Sequence, residues 1–182
     1  QPRSRGLGDV YKRQSIKNLA QKIISISDSK TLLRYIQREP LGVVLDIAAW
    51  NYPLLIAVNV VVPSILAGNS VIIKPATDTP LSAIKLTEIL LEAGVPPEAV
   101  QCLTGTGADI GDALVSDSRV RKVTFTGSRD IGERICKTAG LKKVTMELGS
   151  NSPLIVMPDA DIEKVVSATV ASGFSNAGQV CI

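Results

Sequence analysis

Two side chains in the C-terminal part of this 182-residue chain suit covalent chemistry: the carboxylate of Glu147 and the thiol of Cys181. Glu147 follows the strand-forming run Lys143-Val144-Thr145-Met146 and opens a loop of small residues, Leu148-Gly149-Ser150-Asn151-Ser152-Pro153. A carboxylate placed there lies over a ligand crevice rather than in a surface ion pair, and it can act as a general base. Cys181 comes after Gly178-Gln179-Val180, just past an expected helix. Its thiol can attack a carbonyl carbon, although a free cysteine is more often a buried, inert residue. That plainer reading is taken for Cys102 and Cys136, inside an expected strand and an expected helix. Asn51, in Ala49-Trp50-Asn51-Tyr52-Pro53, offers a side-chain amide where a strand gives way to a helix. Such donors stabilise oxyanions, and the same residue can equally cap the helix. Trp50, the only tryptophan, reads equally well as core. Histidine is absent. Ser-His and Cys-His nucleophiles and His-ligated metals are thereby excluded within this chain, and no metal site is expected. Proton transfer falls to Asp, Glu, Lys, Tyr, a thiol or water.

A second group of residues suits a phosphorylated ligand. In Phe125-Thr126-Gly127-Ser128 a strand joins a helix. Gly127 lets the backbone approach a ligand, and Ser128 brings a hydroxyl and an N–H to a helix N-terminus, where phosphates bind; as a bare helix cap Ser128 needs no ligand. Lys74, in Lys74-Pro75-Ala76-Thr77, leaves the carboxyl end of a strand and can reach ribose hydroxyls or a phosphate, or else lie solvated on the surface. Gly105-Thr106-Gly107-Ala108-Asp109-Ile110-Gly111 has one residue too many for the dinucleotide fingerprint, so its glycines also read as turn residues before a helix.

The elements that must carry these residues alternate. Strands are expected at 42–47, 71–73, 100–103, 122–125, 143–146 and 154–157. Helices are expected at 53–66, 81–93, 109–115, 128–138 and from Asp159 to about Asn176, punctuated by Gly68-Asn69, Gly94, Pro96-Pro97 and Gly140. Before Pro40 the pattern is mixed: Ile16, Leu19, Ala20 and Ile23 have helical spacing, whereas Ile24, Ile26, Leu33 and Tyr35 alternate as in an edge strand or hairpin. Alternation over short connections is the mark of an α/β fold with a doubly wound, Rossmann-like parallel sheet and helices on both faces. Such sheets bind ligands at the carboxyl ends of their strands. Composition agrees. Hydrophobic residues make up 45% and aromatics only 3%, so the core must be aliphatic, as in strands covered on both faces. The net charge of +3, without a basic patch interleaved with aromatics, gives no support for nucleic-acid binding. The longest apolar run, Leu54 to Val62, is too short for a bilayer span, so no membrane association is expected. Three irregularly spaced cysteines fit a reducing compartment, and a cytoplasmic location is expected.

Five separated motifs, Trp50-Asn51-Tyr52-Pro53, Lys74-Pro75-Ala76, Phe125-Thr126-Gly127-Ser128, Glu147-Leu148-Gly149 and Gly178-Gln179-Val180-Cys181, together resemble the aldehyde dehydrogenase superfamily in order and nearly in spacing. The resemblance covers about residues 15 to 182. It implies that this stretch is the NAD(P)-binding half of a longer subunit, cut one residue past the nucleophile. Residues 1–14 read as a non-native or disordered leader. The resemblance further implies that Cys181 attacks an aldehyde to give a thiohemiacetal, with the Asn51 amide and the Cys181 backbone N–H holding the oxyanion. Hydride transfer to the nicotinamide leaves a thioester, and Glu147 activates the water that hydrolyses it. Lys74 would contact the adenosine ribose or its phosphate, and Gly105 and Gly107 the adenine side. Gly127 and Ser128 would lie by the pyrophosphate, Leu148 and Gly149 near the nicotinamide, and Trp50 among the cofactor contacts. The full-length subunit would form a homodimer or homotetramer.

Two positions depart from the family pattern. Thr77 stands where NAD-preferring members often carry Glu; without that carboxylate the repulsion of a 2′-phosphate is gone, so NADP is expected to be accepted, with Asp78 placed to restore part of the repulsion. Ser150 replaces a common second glycine. Two other readings compete. A CoA-acylating semialdehyde dehydrogenase would tend to lack Glu147, and a non-catalytic nucleotide-binding relative would have lost Cys181 or Glu147. The isolated 182-residue chain is expected to be inactive.

Overall fold

The structure, a computed structural model, describes residues 22–26 and 33–181. The expected leader over residues 1–14 and the helical spacing of Ile16, Leu19 and Ala20 lie outside these residues. Strands β1 (Lys22–Ile26) and β2 (Leu33–Ile36) pair antiparallel, as the hairpin reading of this region requires. The main sheet has five strands: β3 (Val43–Ile47), β4 (Ser70–Lys74), β5 (Val100–Cys102), β6 (Val120–Thr126) and β7 (Lys143–Glu147). All pair in parallel, in the spatial order β5-β4-β3-β6-β7.

That order makes β3 the strand from which the chain winds in both directions. Helices α1 (Pro53–Leu66) and α2 (Leu81–Glu92) carry it outward to β5. They pack on one face of the sheet, where Ala57, Val61, Ala83 and Leu86 meet Val44, Val71, Ile73 and Val100. A short π-helical turn, Gly107–Gly111, and α3 (Asp112–Ser116) then bring the chain back to β6, and α4 (Arg129–Ala139) leads to β7. These lie on the other face, where Val115, Ile135 and Ala139 meet Leu45, Val123 and Phe125. Side chains alternate between the faces of a strand, so neighbours such as Val44 and Leu45 belong to different cores. The sheet is therefore doubly wound, and its topological switch point lies between β3 and β6, the crevice where such sheets bind ligands.

Local chemistry explains most boundaries. Pro53 starts α1, where a missing N–H costs nothing, and Gly68 follows its end with φ +80°. Gly140, at φ +60°, ends α4.

The C-terminal part differs from expectation. Leu154 to Met157 is not a strand; among the described residues no neighbouring strand pairs with it, and its four side chains are exposed. The helix expected from Asp159 begins later: α5 spans Ile162–Gly173, and Asp161 caps it by accepting a hydrogen bond from the Lys164 N–H. It stops before Asn176, and a 3-10 turn, Ser175–Gly178, follows. Cys136 is exposed rather than buried, and Cys102 is half-buried. No helix among the described residues is long and apolar enough to cross a membrane.

Candidate active site

The parallel register brings the expected site residues to one rim. Ile47 pairs with Lys74 on one side and Phe125 on the other, and Thr126 pairs with Glu147. The carboxyl ends of β3, β4, β6 and β7 thus stand side by side, and the segments bearing Asn51, Lys74, Gly127-Ser128 and Glu147 all leave from that edge. A hydrogen bond from the Gly127 N–H to the Glu147 carbonyl (3.0 Å) extends the β6–β7 ladder past the strand end. Glu147 itself is exposed. Among the described residues its side chain makes no hydrogen bond or ion pair with Asn51 or Cys181.

Asn51 and the cysteine loop are brought together although more than a hundred residues separate them. The Asn51 amide donates to the Gln179 carbonyl (3.0 Å), two residues before Cys181. Asn51 is therefore not the cap of α1. That position falls to Tyr52, which makes no side-chain cap bond. The Asn176 amide donates to the Asn51 carbonyl (3.2 Å) and also to the Gln179 carbonyl (3.3 Å). Three successive residues before Gln179 have left-handed backbone: Asn176 (φ 48°), Ala177 (φ 55°) and Gly178 (φ 78°). Such a turn costs about 1–2 kcal/mol for an ordinary residue such as Ala177 and is tolerated by Asn and Gly. Three residues beyond it stands Cys181, whose thiol is exposed and free. An exposed thiol beside a strained turn does not fit the inert, buried reading.

Beside Asn51 an apolar depression of about 520 Å³ is lined by Tyr52, Pro53, Leu54, Leu55, Val58 and Ser82. Trp50 is 49% exposed at its edge of the sheet and is not core.

Lys74 is buried, not solvated. Only 4% of it is exposed, its Nζ donates to the Pro75 carbonyl (3.1 Å), and burial lowers its pKa. Just past it, Thr77 and Asp78 are exposed at a turn closed by a bond from the Thr79 N–H to the Ala76 carbonyl. At the start of α4, Ser128 makes no side-chain cap bond, so its hydroxyl is not spent on its own helix. Gly107 and Gly149 have nothing within 4 Å of where a Cβ would stand, so a ligand can approach both backbones. Gly105 and Gly127 are closed off by their own neighbours: an added Cβ would meet Ile110 at 2.8 Å and would clash with the Phe125 ring. The Leu148 side chain packs into the core over Gly132 of α4, so only its backbone faces the loop.

Sequence reasoning passed over two residues. Asn176 reads as the end of a long helix, though Asn-Ala-Gly is turn chemistry that argues for an earlier stop. Asp46 is a lone acid in the strand Val43–Ile47. It is 1% exposed, neither carboxylate oxygen has a partner among the described residues, and burial pushes its pKa up to about 8. Its neighbour across the β3–β6 ladder, Thr124, is also buried, and its hydroxyl has no partner among the described residues.

Comparison with known proteins supplies the context for this rim. The model of the aldehyde dehydrogenase family matches residues 9–182. A betaine aldehyde dehydrogenase of Cereibacter sphaeroides is 50% identical over 149 residues, covering 81% of this chain and 31% of that protein. An E. coli NADP dependent enzyme superposes with a TM-score of 0.87 at 36% identity, covering 94% of this chain and 36% of its own. PnpE in complex with nicotinamide adenine dinucleotide gives 0.84 at 35% identity, with 95% and 35% covered. The chain spans about a third of the length of the proteins it matches. Fold, motif order and the family match agree: this chain belongs to the aldehyde dehydrogenase family.

Proposed function

We propose that residues 15–182 form the dinucleotide-binding part of a longer subunit that oxidises an aldehyde to a carboxylic acid with NAD(P)⁺. The observation that carries this reading is the bond from the Asn51 amide to the Gln179 carbonyl, which holds an oxyanion donor beside the loop that bears a free, exposed thiol. In this reading the Cys181 thiolate adds to the aldehyde carbonyl. A C–S bond forms, the carbonyl π pair moves to oxygen, and the Asn51 amide and the Cys181 N–H receive the oxyanion. When bound, the nicotinamide supplies the hydride acceptor. Glu147 takes a proton from a water whose oxygen adds to the resulting Cys181 thioester. The C–S bond then breaks, releasing the acid and restoring the thiolate.

The residues present fit a dinucleotide. The free N-terminus of α4 with the Ser128 hydroxyl suits a pyrophosphate. The open backbones of Gly107 and Gly149 admit close approach, and the Lys74 ammonium at the end of β4 is a cation at the rim. Thr77, exposed at the turn just past Lys74, leaves room for a 2′-phosphate, and acceptance of NADP is part of the proposal. An NADP affinity far below that for NAD would remove that part alone. The apolar depression beside Asn51 suits the organic portion of the aldehyde.

The test is a product balance on the complete subunit. One free acid per nicotinamide reduced, with no dependence on added coenzyme A, is expected. Acyl-CoA as the product would overturn hydrolysis in favour of an acylating enzyme. The 182-residue chain alone is expected to give no aldehyde oxidation, and turnover from it, free of longer enzyme, would contradict the division of labour proposed.

A further inference from the structure

We propose that Asn176 is a positioning residue: its amide staples the Asn51 loop to the cysteine loop and leaves one N–H of the Asn51 amide for the oxyanion. This rests on the reading of Cys181 as nucleophile and Asn51 as oxyanion donor.

A side-chain amide nitrogen has two N–H groups and a carbonyl oxygen has two lone pairs. Asn176 places both of its N–H groups, one on the Asn51 carbonyl (3.2 Å) and one on the Gln179 carbonyl (3.3 Å). The Gln179 carbonyl takes its second bond from Asn51 (3.0 Å) and is then saturated. Among the described residues the second N–H of the Asn51 amide makes no hydrogen bond. It is also the one that a carbonyl adduct on Cys181 requires. Without Asn176, one exposed hydrogen bond joins the two loops, and water competes for it.

The backbone explains why the residue is asparagine. Position 176 has φ 48° and ψ 42°, in the left-handed region. Glycine and aspartate accept that conformation but carry no side-chain N–H. Glutamine has the N–H groups but lacks the short side chain that settles readily in that region. Asparagine meets both demands. The left-handed residues that follow, Ala177 and Gly178, carry the chain directly from this staple to Gln179 and Cys181.

The experiment uses the complete subunit and rapid-mixing kinetics of nicotinamide reduction. Asn176→Gly keeps the backbone and deletes the donors. Asn176→Asp keeps the shape as well, and it replaces the glycine variant should that one not fold. Either is expected to slow the first-turnover burst about 10²-fold, the cost of misplacing a catalytic group by about 1 Å, with cofactor KM unchanged. In the double variant Asn51→Ala/Asn176→Gly the burst should be no slower than in Asn51→Ala alone, because Asn176 acts through Asn51. A wild-type burst in Asn176→Gly, or losses that multiply in the double variant, would overturn the proposal. Failure of the underlying reading looks different: turnover would survive in Cys181→Ala, or the burst would be unchanged in Asn51→Ala.

Discussion

Between Val43 and Glu147 the chain buries two aliphatic cores, one on each face of the sheet. From Leu148 to Cys181 it buries no residue at all. Leu154, Ile155, Val156 and Met157 are 55%, 81%, 45% and 60% exposed, Phe174 is 78% exposed, and α5 has no buried residue. The first region carries the groups suited to a dinucleotide and supplies its own packing. The second carries the thiol and is tied to the first through side-chain amides around Asn51. Placement of the thiol thus depends on a few polar contacts and a strained turn, and the apolar surface of this region is of a kind that ordinarily meets another part of a protein.

The same comparison orders the expected effects of substitution. Cys181→Ala in the complete subunit should abolish steady turnover, by at least about 10⁴-fold, the scale seen when a covalent nucleophile is removed. Dinucleotide affinity, which the proposal assigns to the sheet region, should not change; equilibrium titration with NAD and NADP checks this. Leu45→Ala, in the fully buried centre of β3, should lower stability by about 2–5 kcal/mol, read as a shift in the urea midpoint.

Asp46 provides a finer probe of the sheet. Its carboxyl ordinarily titrates at 3.8 and is pushed up to about 8 by burial. Between those values the unfolded chain ionises Asp46 while the folded chain keeps the proton. The contribution of Asp46 to stability should therefore be fully present below pH 3.8, be lost as pH rises to about 8, and then level off. Asp46→Asn should flatten that slope in urea titrations run across the range; a slope equal to wild type would show that Asp46 is ionised in the fold. At the other extreme, Phe174→Ala should change stability by no more than about 0.5 kcal/mol. A loss comparable to that of Leu45→Ala would mean that Phe174 packs in the complete subunit.

Legibility from sequence follows the same divide. In the sheet region aliphatic runs are set off by glycine and proline, so α1 could be read to its ends, Pro53 and Leu66, and each strand was found. The order β5-β4-β3-β6-β7 was not readable, because pairing is decided by contacts far apart in sequence. Nor was the burial of Lys74, since a lysine at a strand end looks the same whether its stem is covered or not. In the later region the aliphatic run Leu154–Met157 suggests a strand, but a strand needs a partner, and none is present among the described residues. Asn176 was hidden because helical periodicity continued past Gly173, while the left-handed turn depends on local backbone chemistry that periodicity does not register. Motif chemistry names Cys181, Glu147 and Asn51 as candidates only; the contact between Asn51 and Gln179 is not legible in it.

The central claim is that a thiol and a carboxylate from these two regions share one reaction, Cys181 making the thioester and Glu147 releasing it. The most direct test is Glu147→Gln in the complete subunit, mixed rapidly with aldehyde and cofactor, with Cys181 then examined by mass spectrometry. A full burst of nicotinamide reduction, a steady rate lowered about 10²–10⁴-fold and an acyl group accumulating on Cys181 are predicted. Loss of the burst with Cys181 unmodified would contradict the account, because Glu147 would then be needed before the thioester forms.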